Sequence, residues 1–151
     1  MEQIIPIASD HGGFEMKQYL IDKLKNTGYK IYDFGTFSSK SVDYPDMIHP
    51  LASAIEHGKY PLGIILCGSG NGAQMTANHH HNVRAALCWT VELAKLARQH
   101  NDANIIALPG RFISNELAWE MVQTFLHTDF EGGRHKRRVE KIEPIENHDD
   151  E

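Results

Sequence analysis

The sequence has little of what marks secreted, membrane or nucleic-acid-binding proteins. It contains only two cysteines, Cys67 and Cys88, in no metal-ligand spacing, which predicts a reducing compartment and no disulfide framework. No apolar run approaches the ~20 residues that span a bilayer, and the acidic start followed by Pro6 is not typical of a signal peptide. The net charge of -5 disfavours general nucleic-acid binding. We therefore expect a cytoplasmic protein without nucleic-acid or membrane partners.

The length of 151 residues fits one domain with a continuous hydrophobic core. We expect this domain to cover residues 1–146. Residues 147–151 carry no apolar side chain, which predicts a disordered tail.

Short β-rich segments alternate with helical patterns along the chain. The predicted buried strands are Gln3–Ala8, Tyr29–Phe34, Leu62–Leu66, Arg84–Leu87 and Asn104–Ala107. Apolar residues at helical spacing form three sets: Met16, Leu20, Ile21 and Leu24; Leu93, Leu96 and Ala97; Leu117, Met121, Val122 and Phe125. A last helix is predicted over Arg134–Ile145. The pattern predicts a single doubly wound α/β domain, a Rossmann-like sandwich around a five-stranded parallel sheet, with a C-terminal helix.

Polar residues follow the predicted strands, where open parallel sheets bind ligands. The segment Cys67–Gly72 lies between a strand and a helix, so its backbone N–H groups can converge on an anion. It lacks the lysine of a P-loop, and suits an oxyanion hole better than a nucleotide site. A tight turn that needs glycine is the alternative interpretation. Cys67 is a candidate base at this loop, or else a small buried apolar residue, as is predicted for Cys88.

Other candidate residues each have a structural alternative. Asp10 and His11 follow the first strand, where Asp10 could simply cap a helix. His100 ends a helix and could merely cover the core there. Arg134 and Arg138 are one helical turn apart and could grip a phosphate, or form a solvated charged face.

No metal or cofactor is predicted. The run His79–His81 invites a metal interpretation, but adjacent residues on a helix do not face one site, so a surface patch is favoured.

The motifs taken in order resemble the ribose-5-phosphate isomerase type B family and its sister galactose-6-phosphate isomerases. The resemblance extends to about Glu146. It is carried by Ser9–Phe14 with Lys17, Asp33–Thr36, Asp43–Pro45, Cys67–Gly72, Arg98–Asn104 and Glu131–His135.

The resemblance implies roles for individual residues. Cys67 matches the proton-transfer base, His100 the residue that assists opening of the furanose ring, and Ser69 a proton shuttle between the first two sugar oxygens. The matching substrate contacts are Asp10, His11, Gly68, Ser69, Gly70, Asn71, Gly72, Asn101, Arg111, Arg134 and Arg138. In this family a partner subunit completes the site, so a homodimer or a tetramer is implied.

One branch of the family carries glycine in place of Cys67 and a glutamate base in place of Ala73. The chain has Cys67 and Ala73, so the cysteine branch is indicated. The resemblance implies interconversion of ribose 5-phosphate and ribulose 5-phosphate through a cis-enediolate, without a cofactor. The alternatives are an isomerase of a six-carbon sugar phosphate, such as galactose 6-phosphate or allose 6-phosphate, and a non-catalytic phosphate-ligand sensor.

Overall fold

Five parallel strands form the centre of the computed structural model, which describes residues 3–144. The strands are β1 (Ile4–Ser9), β2 (Lys30–Asp33), β3 (Gly63–Cys67), β4 (Ala85–Leu87) and β5 (Ile105–Pro109). Their order in the sheet is β2-β1-β3-β5-β4. From β1 the chain adds β2 on one side of the sheet and then β3, β5 and β4 on the other, so the connections change direction between β1 and β3. The loops that follow β1, β3 and β5 come together there, at the carboxyl edge of the sheet.

Helices connect the strands and cover both faces of the sheet. They are α1 (Phe14–Asn26), α2 (Tyr44–Glu56), α3 (Asn71–Ala77), α4 (Val91–Gln99), α5 (Asn115–Leu126) and α6 (Arg134–Glu140). A short 3-10 helix, His11–Gly13, precedes α1. Thr90 and Ser114 cap α4 and α5, since their hydroxyls accept the N–H groups of Leu93 and Leu117. This Rossmann-like α/β sandwich confirms the predicted fold class.

Two apolar clusters lie on opposite faces of the sheet. The first joins α1, α4 and α5 to alternate strand residues such as Ile64 and Leu66. The second joins α2 and α3 to the intervening residues, Ile65 and Cys67 among them. Because successive strand side chains point to opposite faces, Cys67 is directed toward α2 and α3.

The five predicted strands are confirmed with shifts of one or two residues at their ends. The prediction that all are buried is wrong for the two edge strands: the positions of β2 are exposed or half-buried, and only Ala85 of β4 is buried. Leu93, predicted to lie on the apolar face of α4, is 46% exposed. The buried positions of that helix are Ala94 and Ala97.

Two helices differ from the sequence patterns. Helix α2 was not recognised, and it contains Pro45 in its first turn, where no intrahelical N–H is needed, and Pro50 in its interior. Helix α6 ends at Glu140, not at the predicted Ile145, because Lys141 and Ile142 turn back on the last carbonyl groups ahead of Pro144. The predicted tail 147–151 lies outside the described residues. Within residues 3–144, no helix is both long and apolar enough to cross a membrane.

The edge strand β4 is closed by side chains of the preceding segment. The Asn78 amide accepts from the backbone N–H of Ala85 at 2.8 Å and donates to its carbonyl at 3.0 Å. The Gln74 amide donates to the same carbonyl at 3.2 Å. Both outward hydrogen-bonding groups of Ala85 are therefore occupied.

Candidate active site

Loops from three strands are joined at the carboxyl edge of the sheet. The backbone N–H of Gly110, after β5, donates to the carbonyl of Cys67 at 2.9 Å. The N–H of Arg111 donates to the carbonyl of Gly68, also at 2.9 Å. A Cβ on Gly110 would lie only 3.1 Å from the carbonyl oxygen of Gly12, so the loop after β1 packs directly against the loop after β5. These contacts hold the loop after β3 between its two neighbours.

The glycines of these loops make room for the Arg111 guanidinium. A Cβ on Gly68 would lie 3.1 Å from Arg111 Nη1, and one on Gly12 would lie 3.2 Å from Arg111 Cζ. The guanidinium thus rests on bare backbone from two loops. The arginine is exposed at this edge, where it can bind an anion.

Gly70 forms the turn that leads into α3. Its φ is +79°, a left-handed conformation that favours glycine, and a Cβ there would collide with the Leu87 side chain. The Ser69 hydroxyl accepts the N–H of Asn71 at 3.2 Å, so its own proton is available to a ligand. The glycine-turn interpretation therefore holds for Gly70, and it is compatible with a polar loop that binds a ligand.

Cys67 and Cys88 occupy different environments. Cys67 is the last residue of β3, is 5% exposed, and belongs to the same buried cluster as Ala73. Cys88 is 1% exposed, its Sγ donates to the Ala86 carbonyl at 3.6 Å, and burial raises its pKa to about 12. Cys88 thus stays a protonated, apolar core residue, as predicted.

His11 lies beside Arg111, and Asp10 caps the short helix His11–Gly13. The Nδ1 of His11 accepts the N–H of Val42 at 3.2 Å, so the neutral ring carries its proton on Nε2. His11 and Arg111 line a cavity of about 490 Å³ together with Gly12 and Gly110; Cys67 is not part of its lining. Asp10 Oδ1 accepts the N–H groups of Gly12 and Gly13, so the predicted capping role is observed.

Tyr44 contacts the loop after β3, a contact that the sequence does not predict. A Cβ on Gly72 would fall within 2.6 Å of the Tyr44 ring atom Cζ, so the ring lies directly on the glycine of the β3 loop. The ring is 40% exposed. Tyr44 belongs to Asp43–Pro45, one of the motifs that carry the family resemblance.

The remaining predicted residues lie at the opposite edge of the sheet. Helix α4 runs back from the carboxyl edge and ends at His100, which caps it. Asn101 follows, and β5 then starts at Ile105. Since β5 has five residues, the two edges are separated by roughly 17 Å at about 3.3 Å per residue. Within one chain, the structure does not bring His100 or Asn101 to Cys67.

Helix α6 lies at the same edge as His100. The N–H of Glu131, just before α6, donates to the Gln99 carbonyl at 3.0 Å. Arg134 and Arg138 are exposed and one turn apart on this helix, as predicted. The predicted phosphate-binding arginines are thus divided, with Arg111 at the carboxyl edge and these two at the amino edge.

His100, Glu131 and His135 form the one group of possible metal ligands found among residues 3–144, with ligand atoms within 4.8 Å of one another. The two imidazole rings are stacked, with centroids 4.2 Å apart and planes 11° apart. A metal ion bound to an imidazole nitrogen lies near the plane of that ring. Two nearly parallel rings therefore cannot direct their nitrogens at one ion unless they rotate.

Two histidines of the run His79–His81 contact other side chains. His80 lies between His49, at 2.8 Å, and Glu56, at 2.9 Å, and His81 Nδ1 contacts Glu143 at 3.1 Å. His80 and His81 therefore have different partners and do not converge on one site.

Comparison with known proteins places the chain in one family. Residues 5–142 match the family described as Ribose/Galactose Isomerase. Ribose-5-phosphate isomerase B of Escherichia coli is 39% identical over 142 residues, which cover 94% of this chain and 95% of that protein.

Two crystal structures have the same fold. A ribose 5-phosphate isomerase from Thermotoga maritima superposes with a TM-score of 0.93 at 46% identity, covering 96% of this chain and 100% of the other. Ribose-5-phosphate isomerase B from Mycoplasma genitalium, with bound ribulose-5-phosphate, has a TM-score of 0.89 at 39% identity, covering 94% and 95%.

The chain belongs to the ribose/galactose isomerase family. It is accordingly an enzyme, a sugar-phosphate aldose–ketose isomerase built on a Rossmann-like domain.

Proposed function

We propose that the chain interconverts D-ribose 5-phosphate and D-ribulose 5-phosphate through a cis-enediolate. The observation that carries the proposal is the position of Cys67, at the end of β3 and directly before the glycine loop 68–72. The relatives named ribose-5-phosphate isomerase match this chain over nearly its whole length, and one of them holds ribulose-5-phosphate.

The proton transfer is assigned to the carboxyl edge. The Cys67 thiolate takes the proton from C2 of the open-chain aldose, and the electron pair moves to form the enediolate. Ser69 moves a proton between O1 and O2, and the thiol returns its proton to C1 to give the ketose. Backbone N–H groups of the loop 68–72 stabilise the oxygen that carries the negative charge.

The phosphate is assigned to cations and N–H donors at the ends of the site. His11 presents Nε2–H and Arg111 presents its guanidinium at the same cavity. Arg134 and Arg138 supply two further guanidinium groups, and Asn101 an amide. Binding energy from the phosphate holds the sugar in register with Cys67.

A second copy of the chain completes the site. Because His100, Asn101, Arg134 and Arg138 lie at the amino edge, they reach a sugar at Cys67 only if they belong to another subunit. A homodimer with two such shared sites is the smallest closed assembly, and a tetramer would contain two of these dimers. In this assembly His100 of the partner subunit assists opening of the furanose ring.

The deciding experiment is an assay of the purified protein with ribose 5-phosphate, in which ribulose 5-phosphate is detected directly. Galactose 6-phosphate and allose 6-phosphate are tested in parallel, and Cys67→Ala is the control for contaminating isomerase. Faster turnover of a six-carbon substrate would overturn the five-carbon assignment. Binding of ribose 5-phosphate without turnover would identify a sensor.

Both cysteines are buried free thiols, which suits the reducing cytoplasm in which we place the enzyme.

A further inference from the structure

His135 and Glu131 surround His100 closely, although the proposed mechanism gives them no role. The His135 ring stacks on the His100 ring with centroids 4.2 Å apart, and His135 is only 8% exposed. Glu131 Oε1 lies 3.6 Å from Nε2 of His135 and 3.9 Å from Nε2 of His100. One carboxylate oxygen therefore faces the same nitrogen of both rings.

The backbone holds this cluster in place independently of the side chains. The bond from the Glu131 N–H to the Gln99 carbonyl ties the segment before α6 to the end of α4. Gly132 and Gly133 both have positive φ, at +69° and +57°, so the chain turns sharply and brings His135 back over Glu131. The N–H of His135 then donates to the Gly132 carbonyl at 3.0 Å. Substitution of a side chain in the cluster should leave this framework intact.

The charges around His135 keep its ring neutral. Burial lowers the pKa of His135, and the positive charges on His100 and Arg134 lower it further, against the opposing effect of Glu131. Near neutral pH, His135 is therefore an uncharged aromatic surface. It can stack on His100 in either protonation state of that ring without adding a second positive charge.

We propose that His135 and Glu131 are positioning residues that act through His100. Stacking on His135 fixes the plane of the His100 ring, and the negative charge of Glu131, 3.9 Å from Nε2 and beyond hydrogen-bond distance, electrostatically favours a proton on that nitrogen. Neither residue touches the sugar. The inference rests on the proposed role of His100 in ring opening at the partner subunit's site.

The test compares ribulose 5-phosphate in deuterium oxide with ribose 5-phosphate as substrate. Deuterium uptake at C1 of ribulose 5-phosphate reports enediolate formation, which needs no sugar ring, whereas turnover of ribose 5-phosphate begins with opening of the furanose. The ratio of the two rates isolates the ring step. His100→Ala should raise this ratio, and His135→Ala should raise it about ten- to a hundredfold, because a misplaced catalytic group loses that much rate. His135→Phe keeps an aromatic surface and should restore most of the loss, while Glu131→Gln should show an intermediate effect.

Two further measurements separate positioning from a general disturbance of α6. KM should stay within about threefold of native in His135→Ala, since the phosphate contacts of α6 are not removed. Lys136→Ala, an exposed change on the same helix, is the matched control and should behave as native. Proton–carbon NMR spectra of the histidine rings should show that the His100 signals lose their ring-current shift in His135→Ala and regain it in His135→Phe.

The possible results are distinct. If the His100 NMR signals move in His135→Ala but the ratio of deuterium exchange to ribose 5-phosphate turnover stays native, stacking has no catalytic effect and the proposal is wrong. A raised KM with an unchanged ratio would show that His135 only supports the arginines, which also overturns it. If His100→Ala itself leaves the ratio native, the proposed role of His100 fails first, and the positioning role falls with it.

Discussion

Mixing two inactive variants should restore activity if each active site is shared between two subunits. Cys67→Ala disables the carboxyl-edge half of a site, and His100→Ala disables the amino-edge half. In one chain these halves lie at opposite ends of α4, whose nine residues span about 14 Å at 1.5 Å per residue. A sugar phosphate at Cys67 therefore cannot reach His100 of the same subunit.

The expected magnitude follows from the symmetry of a dimer. In a heterodimer of the two variants, one site carries both substitutions and the other carries none. Equal mixing with free exchange makes half of the dimers heterodimers, so about a quarter of native activity should return. The two variants are unfolded and refolded together, or produced in the same cells, and ribulose 5-phosphate formation is then measured.

A matched control uses two substitutions in the same half of the site. Cys67→Ala mixed with Ser69→Ala leaves every carboxyl-edge half defective, so no recovery is expected. Recovery in this control would mean that exchange alone restores activity by another route. If Cys67→Ala mixed with His100→Ala recovers no activity although native mass spectrometry shows heterodimers, both residues serve the same chain's site and the shared-site reasoning is wrong.

Three other changes test parts of the structure separately. Iodoacetamide should inactivate the enzyme by alkylating Cys67, and ribose 5-phosphate should protect it; mass mapping that finds Cys67 unmodified in inactivated enzyme would contradict this. Lys17 is fully buried and paired with Asp33 at 2.8 Å, so Lys17→Met should lower the free energy of unfolding by about 3 kcal/mol, because it leaves the Asp33 charge unpaired. The double variant Lys17→Met with Asp33→Asn should recover part of this loss in urea titrations. Gly70→Ala should lower Tm more than Gly58→Ala, because both have positive φ but only Gly70 lacks space for a Cβ.

Most of the fold could be predicted from the sequence because buried parallel strands have a strong pattern. β3 and β5 are apolar at nearly every position and buried throughout, so their limits were close to correct. Helix α2 was missed because Pro45 and Pro50 disfavour a helix locally, whereas packing of Ile48 and Leu51 against the sheet favours it. Local preference was overruled there by burial.

Only part of the candidate site could be predicted from the sequence, namely the part that the sheet itself positions. Residues after β1, β3 and β5 meet at one edge by the geometry of any such sheet, which made Cys67 and Arg111 identifiable. The contact between Tyr44 and Gly72 depends on the path of a long loop, which no periodicity reveals. The stacking of His135 on His100 depends on a turn through Gly132 and Gly133. The motif Glu131–His135 can be read in the sequence, but this contact cannot.

The amides of Asn78 and Gln74 at β4 have a consequence for how copies of this chain meet. An exposed sheet edge is a template on which a strand from another molecule can add, and such growth leads to open-ended aggregates. A foreign strand would first have to displace the side-chain bonds on both outward groups of Ala85. The sheet is thereby ended at β4, which disfavours growth of the sheet by addition of a strand at this edge.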